Sequence, residues 1–212
     1  MKIAKSLNNT IQKIFEESNQ KKYYEHSLRV YGYVKKLSQS ENGNLKILEP
    51  ASLLHDIGMT IDPTFQGHPI QSAKMSVPIL ENLKFSSIEI QSINEVILSH
   101  HPEPGTDLDS IEKRILFDAD NLDLIGPFGI LRWIGSFPPK ASSLKSSLSF
   151  FLDIVEKCEH SRGSLFYTKT AKEQSIELMN FTKEYCKNVI SHIEPFETSL
   201  IPKEFPKLTH HE

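Results

Sequence analysis

Cysteine is scarce in this chain of 212 residues, which carries two, Cys158 and Cys186. Their separation fits no zinc-binding spacing and two thiols build no disulfide framework, so both read as reduced, sheltered side chains of a cytosolic protein. Long apolar runs are missing too: nothing approaches the ~18 residues of a membrane-spanning helix. The N-terminal stretch MKIAKSLNNTIQKIFEESN is too polar for a secretory signal. The expectation is a cytoplasmic protein that neither crosses a membrane nor is exported. Neither end carries a basic block, and the net charge is −3 with a pI near 6.3. That excludes a dedicated nucleic-acid binder and leaves room for a local basic pocket that holds one nucleotide. Alternation with a period of two is absent, so no segment reads as a half-buried strand. With no repeat and no low-complexity linker either, one domain over residues 1–212 is expected.

What is present is helical periodicity, and the expected fold is all-α. Leu7, Ile11, Ile14 and Phe15 form one stripe. A second helix is expected over 21–41, with Tyr24, Leu28, Tyr31, Val34 and Leu37 on one side and ENGN as its stop. Pro50 suits the first turn of a short helix carrying ASLLHD, and Gly58 sits where that helix should end. An irregular loop with Pro63 follows, then a helix opened by Pro69 and interrupted or kinked by Pro78. Ser86 and Glu89 fit a capping box ahead of Ile90, Ile93, Ile97 and His100; Asp109 and Glu112 repeat that signature before IEKRILFDADNLDLIG. Beyond Pro138 and Pro139, residues 144–194 lack proline and should form two long helices around SRGS, before a surface tail from Pro195.

Titratable residues interrupt these apolar faces: His26, His55, Asp56, His68, His100, His101, Asp118, Asp120 and Asp123. Each alone reads as an ordinary hydrogen-bonded core residue. Together they are harder to place, because an imidazole left unpaired inside a Leu- and Ile-rich helix costs ~1–3 kcal/mol. A divalent cation removes that cost by taking the lone pairs. Imidazole nitrogen with carboxylate oxygen suits Mn, Fe, Co, Ni or Zn; Mg and Ca prefer oxygen alone. Adjacent helical residues point ~100° apart. His55 and Asp56 therefore reach one ion together only at a helix end, where Gly58 allows the chain to bend.

The order His26, then HDIG at 55–58, then Asp120 in ADNL resembles the H…HD…D signature of the HD superfamily of metal-dependent phosphohydrolases. EHSLRV at 25–30 is similar to the opening helix of that superfamily and DADNLDLIG at 118–126 to its closing one, so the resemblance spans roughly residues 20–135. With GHPIQSA and FGILRW, the chain is most similar to small bacterial members, some of them nucleotide pyrophosphohydrolases. The resemblance implies a helical bundle with additional C-terminal helices packed on it. It also implies that His26, His55, Asp56 and Asp120 bind a divalent transition metal, and that metal-activated water hydrolyses a phosphoester or phosphoanhydride of a small phosphorylated substrate, a nucleotide as the best guess.

The remaining polar residues take roles around that ion. Dinuclear members of the superfamily add histidines between the HD pair and the last aspartate, and ILSHHPE at 97–103 is similar to such a pair. A second ion at His68, His100 and His101 therefore stays open. The alternative makes those histidines acid, base or phosphate donors of a mononuclear site, with His68, His100, His101 and Asp118 as catalytic residues. Asp118 or Asp123 would orient a ligand histidine. Arg29, Lys74 and Arg132 are candidates to hold phosphate; Arg29 follows His26 by three residues and shares its face. Tyr23, Tyr24, Phe128 and Trp133 lie near the motifs and could stack on a base. Some HD nucleotidases carry glutamate three residues after the HD pair; Met59 stands there, so no nucleophile-activating role attaches to it. Two rivals share the fold: a diiron oxygenase using His26, His55, Asp56, His68, His100 and Asp120, and a non-catalytic nucleotide- or metal-binding module. Phe150, Phe151, Ile154 and Val155 would cap the pocket or form a homodimer face.

Overall fold

The computed structural model describes residues 2–64, 66–102, 106–135, Leu152 and 166–200. Among these, every regular element is helical: α1 (Lys2–Glu17), α2 (Lys21–Glu41), α3 (Leu45–Leu54), a 3-10 turn (Ile57–Thr60), α4 (Gly67–Asn82), α5 (Ser87–Leu98), α6 (Ile111–Leu122), α7 (Gly126–Gly135) and α8 (Lys169–Leu200). The expectations for Pro138, Pro139, Cys158, the first of the two C-terminal helices and the apolar set from Phe150 to Val155 lie outside the described residues.

The architecture is organised around α3. Asn44 starts it, its side chain accepting the Lys46 N–H at 3.0 Å. Ile47, Leu48, Ala51, Leu53 and Leu54 are all buried, so the helix is apolar nearly all round and needs neighbours on every side. It has them in α1, α2, α4, α5 and α6. From α1 come Leu7, Ile11 and Phe15, spaced one turn apart and fully buried. α2 also packs on α6, α4 packs on both the 3-10 turn and α5, and α8 lies across α7, α2 and α6.

Local chemistry departs from the sequence expectation at several points. The buried stripe of α2 is His26, Val30, Val34 and Leu37; Leu28 faces outward. Pro50 is inside α3 and not in its first turn, while Pro78 does not interrupt α4. The Ser86–Glu89 capping box forms as expected, but α5 stops at Leu98 and leaves His100 in the turn beyond it. Ser110, not Asp109, caps α6 by accepting the Lys113 N–H. α8 runs through Pro195 to Leu200, so no strap begins there; the proline forfeits one hydrogen bond without ending the helix.

Two glycines position the site. Gly126 turns the chain from α6 into α7 at φ +71°, and its N–H donates to Thr182 Oγ1 on α8 at 2.8 Å. Gly58 has ordinary dihedrals, so it is not a bend. A Cβ there would strike the His68 carbonyl and the Ser72 amide, and its own N–H donates to Ser72 Oγ at 2.9 Å. The glycine lets the turn after Asp56 press directly on the first turns of α4, which carry His68.

Candidate metal centre

Helix geometry converges the polar residues on one buried spot. α2 contributes His26, the end of α3 His55, the following turn Asp56, α4 His68, the turn after α5 His100, and α6 Asp120. All are buried. Asp56 stands in the middle. Its Oδ1 faces His68 Nε2 at 3.3 Å and His100 Nε2 at 3.7 Å, and its Oδ2 faces His26 Nε2 at 3.6 Å and His55 Nε2 at 3.7 Å. Asp120 Oδ1 completes one side, 3.0 Å from His26 Nε2 and 3.9 Å from His55 Nε2. His101, half-buried, stacks beside His100 and His68 with ring centroids 4.4 and 5.0 Å away.

The protonation pattern tests whether a cation fits. His55 Nδ1 lies 2.8 Å from the Ser52 carbonyl, His68 Nδ1 2.7 Å from that of Thr64, and His100 Nδ1 against that of Ile97. A carbonyl only accepts, so each Nδ1 carries a proton and each neutral ring turns its Nε2 lone pair inward. His68 Nε2 then meets His100 Nε2 at 3.0 Å. Lone pairs that close repel unless a positive charge lies between them. Ligand atoms of His26, His55 and Asp56 sit within 4.8 Å of one another, as do those of His68, His100 and His101. The donor set fits divalent cations: His26, His55 and Asp56 form one group that could hold an ion, and His68, His100 and His101 form another.

Electrostatics agree with that design. Burial lowers the pKa of His55 to about 4 and that of His101 to about 3, which keeps both neutral. Burial also opposes charge on His26, but hydrogen bonds to Asp120 and Asp123 outweigh it and lift the ring to about 9. Burial would raise the Asp56 and Asp120 carboxyls; the surrounding histidines instead hold both well below the usual range. The spot concentrates negative charge and seeks cations.

Asp123 sits one turn beyond Asp120 and is fully buried. Its Oδ2 accepts from His26 Nδ1 and from Arg132 Nη1, each at 2.7 Å, and Arg29 donates Nε to Oδ1 at 2.7 Å and Nη2 to Oδ2 at 3.0 Å. The imidazole of His26 is thus gripped between two carboxylates of α6. Arg29 and Arg132 line a cleft of about 570 Å³ with Lys22, Tyr23, Glu25, Phe128 and Leu131. Arg29 also lies over the Phe128 ring at 5.3 Å. Burial raises the Tyr23 pKa, and the Asp56 charge adds to it. Arg29 and Arg132 touch Asp123, and Arg132 touches His26, so the cleft opens beside the cluster of histidines and aspartates.

Other residues singled out from the sequence go elsewhere. Asp118 is not with the ligands: its Oδ1 accepts the Tyr167 N–H at 2.8 Å and its Oδ2 the Thr168 N–H at 2.7 Å, anchoring the chain that enters α8. Burial nonetheless lifts its carboxyl to about 6. The carboxylate that contacts His26 Nδ1 is that of Asp123 instead. Lys74 is exposed on α4. Tyr24 turns to α1, its hydroxyl donating to Asn8 Oδ1 at 3.1 Å, and the Trp133 side chain lies outside the described residues. Sequence reasoning missed Lys22, Glu25 and Leu131 as lining residues. It also missed the carbonyls of Ser52, Thr64 and Ile97, which no side-chain pattern could reveal.

Comparison with known proteins follows the same lines. No curated protein matches this chain. Among solved structures, an HD-superfamily hydrolase from Bacillus thuringiensis is 22% identical, covers 90% of this chain and 96% of its own, and superposes with a TM-score of 0.68. A predicted HD superfamily hydrolase from an uncultured Thermotogales bacterium is also 22% identical, with 89% and 91% covered and a TM-score of 0.64. Bacillus subtilis YpgQ, solved in complex with ADP, is 22% identical, with 91% and 95% covered and a TM-score of 0.67. The HD domain family model matches residues 23–125, the stretch that carries His26, His55, Asp56, His68, His100 and Asp120. That stretch of the chain is an HD domain.

Proposed function

We propose that this protein is a metal-dependent phosphohydrolase that cleaves a phosphoester or phosphoanhydride bond of a small molecule, a nucleotide by preference. The observation that carries the reading is the carboxylate of Asp56 placed between two groups of inward-facing imidazoles, beside a cleft lined by two arginines. His26, His55, Asp56 and Asp120 hold one divalent transition metal. His68 and His100, with His101 on that side, would hold a second beside Asp56; their Nε2 atoms, 3.0 Å apart, support this reading over that of acid and base at a mononuclear site. When bound, such metals polarise a phosphoryl group and bring the pKa of coordinated water down towards about 7.

The chain's own residues do the rest. Arg29 and Arg132 keep one unneutralised positive charge between them after pairing with Asp123, and present it to a phosphate that enters the cleft. Tyr23, held neutral by burial, offers a proton to a phosphate oxygen. The Phe128 ring provides an apolar wall against which a base can lie. That YpgQ was crystallised with ADP supports a nucleotide, and a cytoplasmic location goes with that substrate. A second reading, a diiron oxygenase, is favoured by the same six ligands.

A screen of phosphate and pyrophosphate release tests the proposal, using mono-, tri- and cyclic nucleotides with Mn, Co, Ni, Mg and Fe in turn. Release that is metal-dependent and lost in the His55→Ala, Asp56→Ala double variant supports it. Two bound irons with oxygen consumption and no phosphate release would replace hydrolysis with oxidation.

A further inference from the structure

Three of the four inward-facing histidines direct Nδ1 to a backbone carbonyl close in sequence, an acceptor no side-chain change removes. His26 differs. It lies inside α2, where the carbonyls of preceding residues are already used by the helix. Its Nδ1 therefore depends on other elements, and two of them compete for it. Asp123 Oδ2 is 2.7 Å away, and Arg132 Nη1 is 2.9 Å away, while those two lie 2.7 Å from each other.

Three atoms in mutual reach admit two proton arrangements. When the carboxylate accepts from both neighbours, the imidazole proton sits on Nδ1 and the Nε2 lone pair faces Asp56, Asp120 and His55. When the guanidinium donates to Nδ1 instead, the neutral ring carries its proton on Nε2, the nitrogen that faces the cluster, and cannot ligate there. We infer that Asp123 is a positioning residue that holds His26 in its metal-binding tautomer against capture by Arg132. The inference rests on the reading of His26 as a metal ligand. Arg29 serves the same end: by donating to both oxygens it pins the carboxylate in the plane that presents Oδ2 to His26. One buried carboxylate thereby ties the metal centre to the arginines of the cleft.

Zinc affinity, measured by competition with a chromophoric chelator, tests this with five proteins: the wild type, H26A, D123N, R132M and D123N/R132M. An amide keeps a single accepting oxygen, so in D123N, with that oxygen turned to the Arg29 Nε–H, the His26 Nδ1 loses its acceptor and is open to the Arg132 N–H. Zinc affinity in D123N should fall about 10–100-fold, the usual effect of losing a partner that orients a ligand. R132M alone should bind zinc as the wild type does, and D123N/R132M should recover most of the loss, because the competitor is gone. Nitrogen-detected NMR of the zinc-loaded wild type should show the His26 proton on Nδ1. Wild-type zinc affinity in D123N, with H26A weakened, overturns the inference alone, as does a double variant no tighter than D123N. A zinc-loaded wild type with the proton on Nε2 overturns it whether or not D123N folds. Unchanged affinity in H26A overturns the metal reading itself.

Discussion

At the scale of single residues, position in the fold decides which polar groups serve the centre. Asp118 and Asp120 are two residues apart on α6, yet Asp120 reaches the imidazoles and Asp118 takes two backbone N–H groups at the entry to α8. Asp118→Asn should therefore destabilise the protein by about 1.5–3 kcal/mol, the range for hydrogen bonds to a charged group. Metal content should stay unchanged; urea unfolding and metal analysis of one preparation check both halves. Gly58 gives the opposite pairing of effects. Gly58→Ala forces a Cβ into the His68 carbonyl and the Ser72 amide, so about 1–3 kcal/mol of stability should go. Metal affinity should fall with it, because α4 must retreat and carry His68 away from Asp56.

At the scale of elements, helix ends do the positioning. His55, Asp56 and His100 all sit in turns just past a helix terminus, where the backbone can turn adjacent side chains toward one point. The start of α5 is fixed by the Ser86–Glu89 capping box, and Glu89 also pairs with Lys46 in the first turn of α3. The hydrogen bond to Lys46, then those to Ser86, hold the Glu89 carboxyl at about 2, below its ordinary 4.5. A depressed carboxyl contributes stability that is complete above its unfolded pKa and lost as pH falls through the folded one. Glu89→Gln should thus be less stable than the wild type above pH 4.5, with the gap closing as the pH falls to about 2. Denaturation midpoints across that range read it out.

At the scale of the whole molecule, the cluster is the point where five elements meet, so a bound cation should act as a staple. Any ligand that prefers the folded state stabilises it, by about 2.7 kcal/mol at a concentration near 100 times Kd. Manganese or zinc should raise the melting temperature of the wild type, and a chelator should reverse the gain. The His55→Ala, Asp56→Ala variant should show no shift with either metal, though its circular dichroism stays helical. A metal-induced shift that persists in that variant would move the binding site elsewhere.

Much of this was written in the sequence. Helical period and caps place α1, α2 and α5, and the H…HD…D order names the residues that share the centre. Such features are local: a stripe, a capping box or a dipeptide needs only near neighbours to be read. Partnership across the chain is not local, and there the tertiary structure ruled. It sent Asp118 away and brought Asp123 to His26 and two arginines, it left Lys74 in solvent, and it turned Asp56 so that each of its oxygens meets its own pair of imidazoles. Those outcomes follow from how α2, α4 and α6 pack around α3. Residues far apart in sequence acquire a chemistry only when packing fixes the distance between them.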